Sequence, residues 1–263
     1  MTGTGRGPFG ADGITILGEV ELHVEGLLFD LDGVLVDSTA AIERHWRQFG
    51  EWYGLSPDSL AKVTHGRRAL DTITSLAARL PVSPREALRR LEALEVEDQE
   101  GVRGLPGAAE LLSCLPHRKW AVVTSGSAAV AGARLRAADL PRPYVLICAQ
   151  DVAAGKPDPA PYDRGAMRLS VLPGRALAVE DAPAGLASAR GAGCQTLAVT
   201  TTHPASELMS ADFVCPNLSS VEASAPDHRG VHLRVHELAS APSTPSSVGR
   251  AGPGPGASPV RDG

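Results

Sequence analysis

The chain has little lysine, few aromatic residues and no cysteine motif. Of its 25 basic residues only Lys62, Lys119 and Lys156 are lysine, and aromatic residues make up 4% of the 263. The four cysteines are far apart and form no C-x-x-C pair or Cys/His cluster, which argues against a zinc site. We expect reduced cysteines that pack as small apolar side chains. In a chain that prefers arginine, a lysine inside a motif is a candidate functional residue.

Excess positive charge and long apolar runs are also missing. The formal net charge is −5, so no overall positive field attracts nucleic acid or anionic lipid. No run approaches the roughly 18 apolar residues of a membrane span, and the N-terminal residues lack the apolar segment of a secretory signal. We therefore expect a cytoplasmic protein that binds neither nucleic acid nor membrane and holds any anionic substrate through local groups.

The two ends of the chain differ in composition from the middle. Residues 1–12 are rich in glycine, and residues 239–263 contain 5 Pro, 5 Gly and 5 Ser. Such segments do not build a packed core. We predict a partly disordered N-terminal extension over 1–25 and a disordered tail over 239–263. Within 223–238, the alternating residues Val231–Val235 predict a terminal edge strand.

Short apolar runs between these ends are typical of strands buried on both faces of a parallel sheet. They are Leu27–Phe29, Trp120–Val123, Val145–Cys148, Ala176–Val179 and Thr196–Val199. Between the later runs lie stretches that fit crossover helices: Gly107–Leu115, Ser127–Ala138, Pro159–Leu169 and Ala182–Ala192. The alternation predicts an α/β fold with a Rossmann-like, doubly wound parallel sheet.

Residues 38–104 interrupt this alternation, because they contain no strand-like run and several helix starts. Ser83 and Glu86 form a capping box with Pro84 at the first helical position. We predict an α-helical bundle inserted over 38–104, in a core made of residues 26–37 and 105–222.

Polar groups that suit phosphate chemistry follow four of the predicted strands, where ligands bind in open α/β sheets. Asp30 and Asp32 end the first strand on the same side of the chain, and Gly33 then lets the backbone turn. The later strands are followed by Thr124, Ser125 and Gly126, by Lys156, and by Glu180 and Asp181. Carboxylates, a cation and a hydroxyl and N–H nest together predict a Mg²⁺-assisted phosphoryl site.

The ordered set resembles the haloacid dehalogenase-like hydrolase superfamily, in its subgroup with a helical cap. The stretches that carry the resemblance are DLDGVLVDSTAAIERHW, THGRR, VRGLPGA, VVTSGS, GKPDPAPY and VEDAPAG, within residues 26–222. The chain is most similar to bacterial sugar phosphatases and to fungal 2-deoxyglucose-6-phosphate and glycerol-3-phosphate phosphatases. The resemblance implies that residues 38–104 are the cap domain, that Mg²⁺ is the cofactor and that a small sugar or polyol phosphate is the substrate. One core and one cap complete such a site, so we expect a monomer or weak oligomer.

The resemblance also implies a role for each motif residue. Asp30 is the nucleophile that forms an aspartyl-phosphate, and Asp32 is the general acid and base. Lys156 stabilises the charge on the phosphoryl group, and Thr124 or Ser125 donates a hydrogen bond to it. Because Asp32 supplies a proton that an alkoxide needs and a halide does not, the pair favours phosphate esters over haloalkanoates.

Metal and substrate residues are implied in the same way. Mg²⁺ is held by Asp30, the Asp32 backbone carbonyl and Asp181, with Glu180 as an outer or direct ligand; the acidic pair is alternatively a helix cap. Substrate contacts are Gly126 and, from the cap, His65, Gly66, Arg67 and Glu43. His65 and Gly66 equally fit a helix C-cap.

Two other functions stay open. A phosphomutase of the β-phosphoglucomutase type shares this fold, but that family has histidine twelve residues after the nucleophile, where this chain has Ile42. A sugar-phosphate sensor without catalysis is the second alternative, although every catalytic position holds a competent residue. Asp158 is interpreted as a brace for Lys156 or as a turn residue, with the brace slightly favoured.

Overall fold

The computed structural model describes residues 19–56, 60, 68–224 and 230–236. The strands are, in chain order, β1 (Glu19–Val24), β2 (Gly26–Phe29), β3 (Val36–Asp37), β4 (Arg103–Gly104), β5 (Trp120–Val123), β6 (Val145–Ile147), β7 (Ala176–Glu180), β8 (Gln195–Val199), β9 (Phe213–Cys215), β10 (Val221–Ala223) and β11 (Val231–His236). The α-helices are α1 (Thr39–Tyr53), α2 (Ala69–Ser75), α3 (Pro84–Glu97), α4 (Ala108–Cys114), α5 (Ala128–Ala137), α6 (Ala160–Arg168) and α7 (Pro183–Gly191).

Six parallel strands form the main sheet, in the order β6-β5-β2-β7-β8-β9. The chain leaves β2 toward β5 and β6 on one side and later adds β7, β8 and β9 on the other. The order therefore reverses beside β2, and ligand sites of doubly wound sheets lie at such a point. Five of these strands match the predicted apolar runs, whereas β9 is a strand that the sequence patterns do not predict. The predicted fold class is confirmed.

Helices cover both faces of this sheet, as the crossover pattern predicts. Neighbouring residues of β2 point to opposite faces. Leu28 packs against Tyr162 of α6, whereas Phe29 packs in the cluster that contains Leu111 of α4 and Ala131 of α5. Because both faces are covered, the strands are apolar over most of their length.

Residues between β3 and β4 form helices with a core of their own. Trp46 and Phe49 of α1 pack with Ile73 of α2 and Leu91 of α3. The two-stranded ladder of β3 and β4 holds the ends of this insert side by side, with Val36 opposite Gly104. On this basis we retain residues 38–104 as the proposed cap.

Serine residues at two helix starts behave differently. Ser83 Oγ accepts a hydrogen bond from the Glu86 backbone N–H at 3.3 Å, and Pro84 is the first helical residue of α3, as predicted. Ser38 precedes α1 but does not cap it, because its hydroxyl donates to Asp32. The Ser38 side chain therefore belongs to the site described below.

A second, antiparallel sheet joins two distant parts of the chain in the order β1-β11-β10. The predicted strand near Val231–Val235 is present as β11, but the prediction that it is an edge strand is wrong. It lies between β10 and β1, and β1 comes from the part of the N-terminal extension next to the core. Val231, Leu233 and Val235 are buried. The strand β11 therefore has a hydrogen-bonded strand on each side and packs its apolar side chains in the core.

The cysteines are free thiols, and Cys148, Cys194 and Cys215 are buried as expected, whereas Cys114 is exposed. Burial raises the pKa of each buried thiol to about 12. These three side chains therefore stay protonated and pack as apolar groups.

Among the described residues, no helix combines the length and apolarity needed to cross a membrane. The predicted tail over 239–263 lies outside the described residues, as do residues 1–18 of the predicted extension.

Candidate active site

The candidate site lies at the edge of the main sheet where β2, β5 and β7 end. Asp30 follows β2, Thr124 follows β5, and Asp181 follows Glu180, the last residue of β7. These three strands are parallel neighbours, so their carboxyl ends meet. Lys156 reaches the same edge from the loop after β6. The fold therefore brings together the four groups of residues that the sequence singled out.

Lys156 bridges two buried carboxylates. Its Nζ lies 2.9 Å from Asp30 Oδ1 and 2.6 Å from Glu180 Oε1, and the residue is 4% exposed. Burial alone would lower the pKa of Lys156, but the charges of Asp30 and Glu180 outweigh burial and raise the pKa above its ordinary value. Lys156 is therefore a permanent cation next to the predicted nucleophile.

Three carboxylates form a tight acidic cluster. Asp30, Glu180 and Asp181 each offer an oxygen, and these oxygens all lie within 4.8 Å of one another. Burial raises the pKa of Asp30 well above its ordinary value; Lys156 opposes this shift, and Glu180 and Asp181 add to it. Burial and the charge of Glu180 raise the pKa of Asp181 to about 7. A cation placed among these oxygens would relieve both burial and repulsion.

Two loops approach Asp181 closely, the loop after β8 with Thr202 and the loop after β2 with Gly33. Thr202 Oγ1 donates a hydrogen bond to Asp181 Oδ2. Gly33 has φ of 80°, and a β-carbon on it would collide with the Asp181 carboxylate. Glycine is therefore required here both by the backbone conformation and by the close approach.

Both carboxylate oxygens of Glu180 have partners, and one of these partners is Lys156. Its Oε1 accepts a hydrogen bond from Tyr162 Oη at 2.5 Å as well as the Lys156 contact, and its Oε2 accepts from the Asp181 backbone N–H at 3.2 Å. A β-carbon on Gly185, in the first turn of α7, would overlap the Glu180 carboxylate. These contacts leave Glu180 fully buried.

Asp32 is not a member of the acidic cluster and has its own partners. Its Oδ1 accepts from Ser38 Oγ at 2.6 Å, and its Oδ2 accepts from Arg134 Nη1 at 2.5 Å. Asp32 also lines the cavity described below. The two aspartates of the first motif are thus placed in different chemical surroundings.

Thr124, Ser125 and Gly126 line the same cavity at the end of β5. Thr124 Oγ1 accepts from the Gly126 backbone N–H at 3.1 Å, which folds the segment into a tight turn. Thr124 is buried, while Ser125 and Gly126 are partly exposed. Ser127 then caps α5 through the Val130 N–H at 3.5 Å.

A cavity of about 230 Å³ separates this edge of the sheet from the inserted helices. On the side of the insert it is lined by Ile42 and Trp46 of α1 and by Leu88, Glu92 and Glu95 of α3. Arg68, at the start of α2, also lines the cavity, so the wall on this side is part apolar and carries both acidic and basic groups. Gln150 and His203 line it from loops of the core.

A family model described as haloacid dehalogenase-like hydrolase matches residues 24–193, more than half of the chain. The chain belongs to the haloacid dehalogenase-like hydrolases. The matched span contains Asp30, Thr124, Lys156 and Asp181, the residues that the fold brings together at the sheet edge.

Several proteins similar to this hydrolase are named as phosphatases. Hexitol phosphatase A of Escherichia coli (strain K12) is 39% identical over 203 residues, 76% of this chain and 94% of that protein. Glycerol-1-phosphate phosphohydrolase 2 of Saccharomyces cerevisiae is 35% identical over 196 residues, 70% of this chain and 77% of that protein. A solved hydrolase from Pseudomonas syringae shares the fold with a TM-score of 0.65 at 23% identity, covering 74% of this chain and 94% of its own.

The described residues bring the core motifs of this hydrolase together but do not do the same for the substrate contacts predicted in the cap. His65, Gly66 and Arg67 lie outside the described residues and stay predictions. Glu43 is exposed and is not part of the cavity wall. Ile42 and Trp46, one turn apart, face the cavity instead, and the next residue in a helix turns about 100° away. The prediction for Glu43 is therefore wrong.

The preferred interpretation of Asp158 also changes. Its Oδ1 accepts from the Ala160 N–H at 2.9 Å, at the start of α6. Asp158 thus makes the turn that follows Pro157, the second of the two interpretations, and Lys156 is braced by Glu180.

Sequence reasoning missed several residues of this hydrolase that shape the site. They are Trp46, Arg134, Tyr162 and Thr202. Arg134 carried a readable signal, because Val130, Ala131, Arg134 and Leu135 share the buried face of α5, and a charge on a buried helical face needs a partner. Thr202 lies three residues after β8, and no sequence pattern there indicates that it contacts the site.

Proposed function

We propose that this hydrolase is a Mg²⁺-dependent phosphatase that cleaves a small sugar or polyol phosphate through an aspartyl-phosphate on Asp30. The observation that carries the proposal is the buried ion pair of Asp30 and Lys156 beside Asp181, at the carboxyl edge of a parallel sheet. The hexitol phosphatase and the glycerol-1-phosphate phosphohydrolase support the substrate class. The reaction is that of a phosphoric monoester hydrolase.

The donor chemistry of the acidic cluster fits Mg²⁺, which prefers carboxylate and carbonyl oxygens. We assign Asp30, Asp181 and the Asp32 backbone carbonyl as its ligands. Glu180 is placed outside the direct set, because both of its oxygens already accept hydrogen bonds. When bound, Mg²⁺ neutralises the negative charge that otherwise keeps a phosphate away from Asp30.

In the first half-reaction, an Asp30 carboxylate oxygen attacks phosphorus. The bond between phosphorus and the sugar oxygen breaks, and Asp32 gives its proton to that oxygen. Lys156 holds Asp30 through Oδ1 and offers a fixed positive charge to the transferred phosphoryl group. The products of this half are the free sugar or polyol and a phosphorylated Asp30.

In the second half-reaction, water attacks the phosphorus of the aspartyl-phosphate. Asp32, now a carboxylate, accepts a proton from that water, and the bond between phosphorus and the Asp30 oxygen breaks. Inorganic phosphate leaves and Asp30 is regenerated. One side chain thus serves as acid in the first half and base in the second.

The turn after β5 is proposed to hold the remaining phosphoryl oxygens. Thr124, Ser125 and Gly126 line the cavity at the N-terminal end of α5, where backbone N–H groups favour an anion. Thr124 and Ser125 both remain candidate donors, because a hydroxyl that accepts a hydrogen bond, as Thr124 does from the Gly126 N–H, keeps its own O–H to donate.

The cavity wall supports an uncharged, hydroxylated leaving group. Trp46 offers an apolar face, and Glu92 and Gln150 offer oxygens that accept hydrogen bonds from hydroxyl groups. His65, Gly66 and Arg67 remain our proposed additional contacts from the cap.

The decisive test is a phosphate-release screen in Mg²⁺ over hexitol, hexose, pentose and glycerol phosphates. We expect release from at least one of these. Asp30→Asn should abolish turnover while leaving the fold intact by circular dichroism. Appreciable turnover by that variant would refute the assigned nucleophile.

A phosphomutase remains the second candidate. Position 42, where the mutase family has histidine, is Ile42, and this apolar side chain lines the cavity. Incubation of β-glucose 1-phosphate with a trace of the 1,6-bisphosphate separates the two functions. Glucose 6-phosphate without free phosphate would establish the mutase; free phosphate supports the phosphatase. The cytoplasmic location and the monomeric or weakly oligomeric state stay predictions.

A further inference from the structure

One buried guanidinium connects the catalytic edge of the core with the cap. Arg134 lies on α5, among apolar residues of the core, and is 4% exposed. Its Nη1 lies 2.5 Å from Asp32 Oδ2, and its Nη2 lies 3.0 Å from Glu95 Oε1. Burying such a charge costs several kcal/mol unless it is paired, so the position of Arg134 depends on both carboxylates.

The contact fixes the Asp32 carboxylate at two points. Ser38 Oγ donates to Oδ1 at 2.6 Å while Arg134 donates to Oδ2. The side chain is therefore held in one orientation from two elements, the start of α1 and the middle of α5. Donors of this kind, above all a charged one, bind a carboxylate more strongly than a carboxylic acid.

Glu95 is the anchor of Arg134 on the cap. It lies on α3, is 8% exposed, and faces the cavity one turn after Glu92. If α3 moved away from α5, Arg134 would lose one of its two partners. The orientation of Asp32 is thus tied to the contact between cap and core.

We propose that Arg134 is a positioning residue for Asp32 that acts mainly in the second half-reaction, and that Glu95 holds Arg134 in place from the cap. The proposal rests on the roles proposed above for Asp30 and Asp32. In that half, Asp32 must be a carboxylate when it accepts the proton of the attacking water. Arg134 supplies the charge and the orientation for this form.

Kinetics separate the two halves. The ratio kcat/KM reports the steps through departure of the sugar, whereas kcat also contains the hydrolysis of the phosphorylated Asp30. A variant slow only in that hydrolysis lowers kcat and KM together and leaves kcat/KM unchanged. A defect in folding or in substrate binding does not give this pattern.

The test compares Arg134→Met, Arg134→Lys and, as matched control, Arg136→Met, which removes an exposed arginine from the same helix. For Arg134→Met we expect kcat and KM to fall together by about tenfold, less than the roughly 10²–10⁴ that a general base itself contributes, with kcat/KM nearly unchanged. Rapid quench with ³²P-labelled substrate should show more phosphorylated protein at steady state. Arg134→Lys should recover part of kcat, and Arg136→Met should match the unaltered protein.

Several outcomes would overturn the proposal. A fall in kcat/KM equal to that in kcat would mean that Arg134 acts in the first half-reaction. A rise in KM at constant kcat would mean that Arg134 contacts the substrate. If kcat and KM are both unchanged, Arg134 has only a structural role. If Arg134→Met does not fold, Arg134→Lys decides, because one ammonium cannot reproduce both contacts of the guanidinium. A lack of phosphate release by the unaltered protein from every substrate of the screen would refute the proposed function itself.

Discussion

At the scale of single residues, burial and pairing decide what each ionisable group does. Lys156 is the one lysine among three that the sequence placed in a motif, and its Nζ is enclosed by Asp30 and Glu180. A compact ammonium fits between two carboxylates that approach it to less than 3 Å, whereas a planar guanidinium needs a wider site. The scarcity of lysine in this chain therefore pointed to a position where arginine is a poor substitute.

Lys156→Arg keeps the charge but should lower kcat by about a hundredfold or more, the magnitude typical of a lost charge-stabilising group. Initial rates of phosphate release under saturating substrate measure the loss. Lys119→Arg, outside the site, is the matched control and should keep the normal rate. Near-normal turnover by Lys156→Arg would mean that charge alone matters at this position.

Glu95 gives stability a dependence on pH. Burial raises its pKa from the ordinary 4.5 to about 7; Arg134 opposes this shift, and Asp32 and Glu92 reinforce it. Because the folded state holds the proton at higher pH than the unfolded state, stability falls as pH rises from about 4.5 through about 7. For Glu95 alone the loss approaches about 3 kcal/mol.

Glu95→Gln should remove this contribution. Thermal unfolding of both proteins from pH 5 to pH 8 measures it, and the unaltered protein should lose more in Tm than Glu95→Gln, by several degrees. Asp30 and Asp181 titrate in both proteins, so the difference between the two curves isolates Glu95. The same dependence of Tm on pH in both proteins would contradict the raised pKa of Glu95.

At the scale of elements, strand order assembles the site and close helix packing fixes it. The first turn of α7 approaches β7 so tightly that Gly185 has no room for a side chain beside Glu180. The same helix ends at Gly191, where a β-carbon would meet its nearest neighbour, Pro159 Cβ, at 3.4 Å. Replacing each glycine by alanine therefore separates the effect of packing against Glu180 from the effect of helix propensity.

Gly185→Ala should displace Glu180, and with it Lys156, so we expect at least a tenfold loss in kcat and a destabilisation of about 1–3 kcal/mol from overpacking. Gly191→Ala should keep activity and stability close to normal. Phosphate release and chemical denaturation of the two variants provide the comparison. Equal behaviour of both would show that the packing of α7 on Glu180 is unimportant.

At the scale of the whole molecule, the sheet of β1, β11 and β10 joins the two ends of the described chain to the core. Leu233 is 2% exposed and packs in the main core cluster, while Arg234 beside it points to solvent. This sheet lies apart from the catalytic residues, so its contribution should be to stability and not to chemistry.

Leu233→Ala should lower the free energy of unfolding by about 2–4 kcal/mol, as buried leucine truncations do, with kcat unchanged for the folded protein. Arg234→Ala, on the opposite face of the same strand, should leave stability nearly unchanged, since surface ion pairs contribute little. Urea unfolding of both variants measures the contrast. A large effect of Arg234→Ala would show that its ion pairs with Glu19 and Glu21 hold the sheet.

The sequence by itself determined the α/β alternation, the helical insert and the core motif residues from Asp30 to Asp181. These signals are local: apolar runs, capping side chains and polar residues at strand ends depend only on neighbours in the chain. The tertiary structure decided what depends on distant partners. The central place of β11, the link from Arg134 to Glu95 and the support of Asp181 by Thr202 all join residues far apart in sequence. A single chain carries no pattern for such contacts, because they are set by which faces the packed elements turn toward one another.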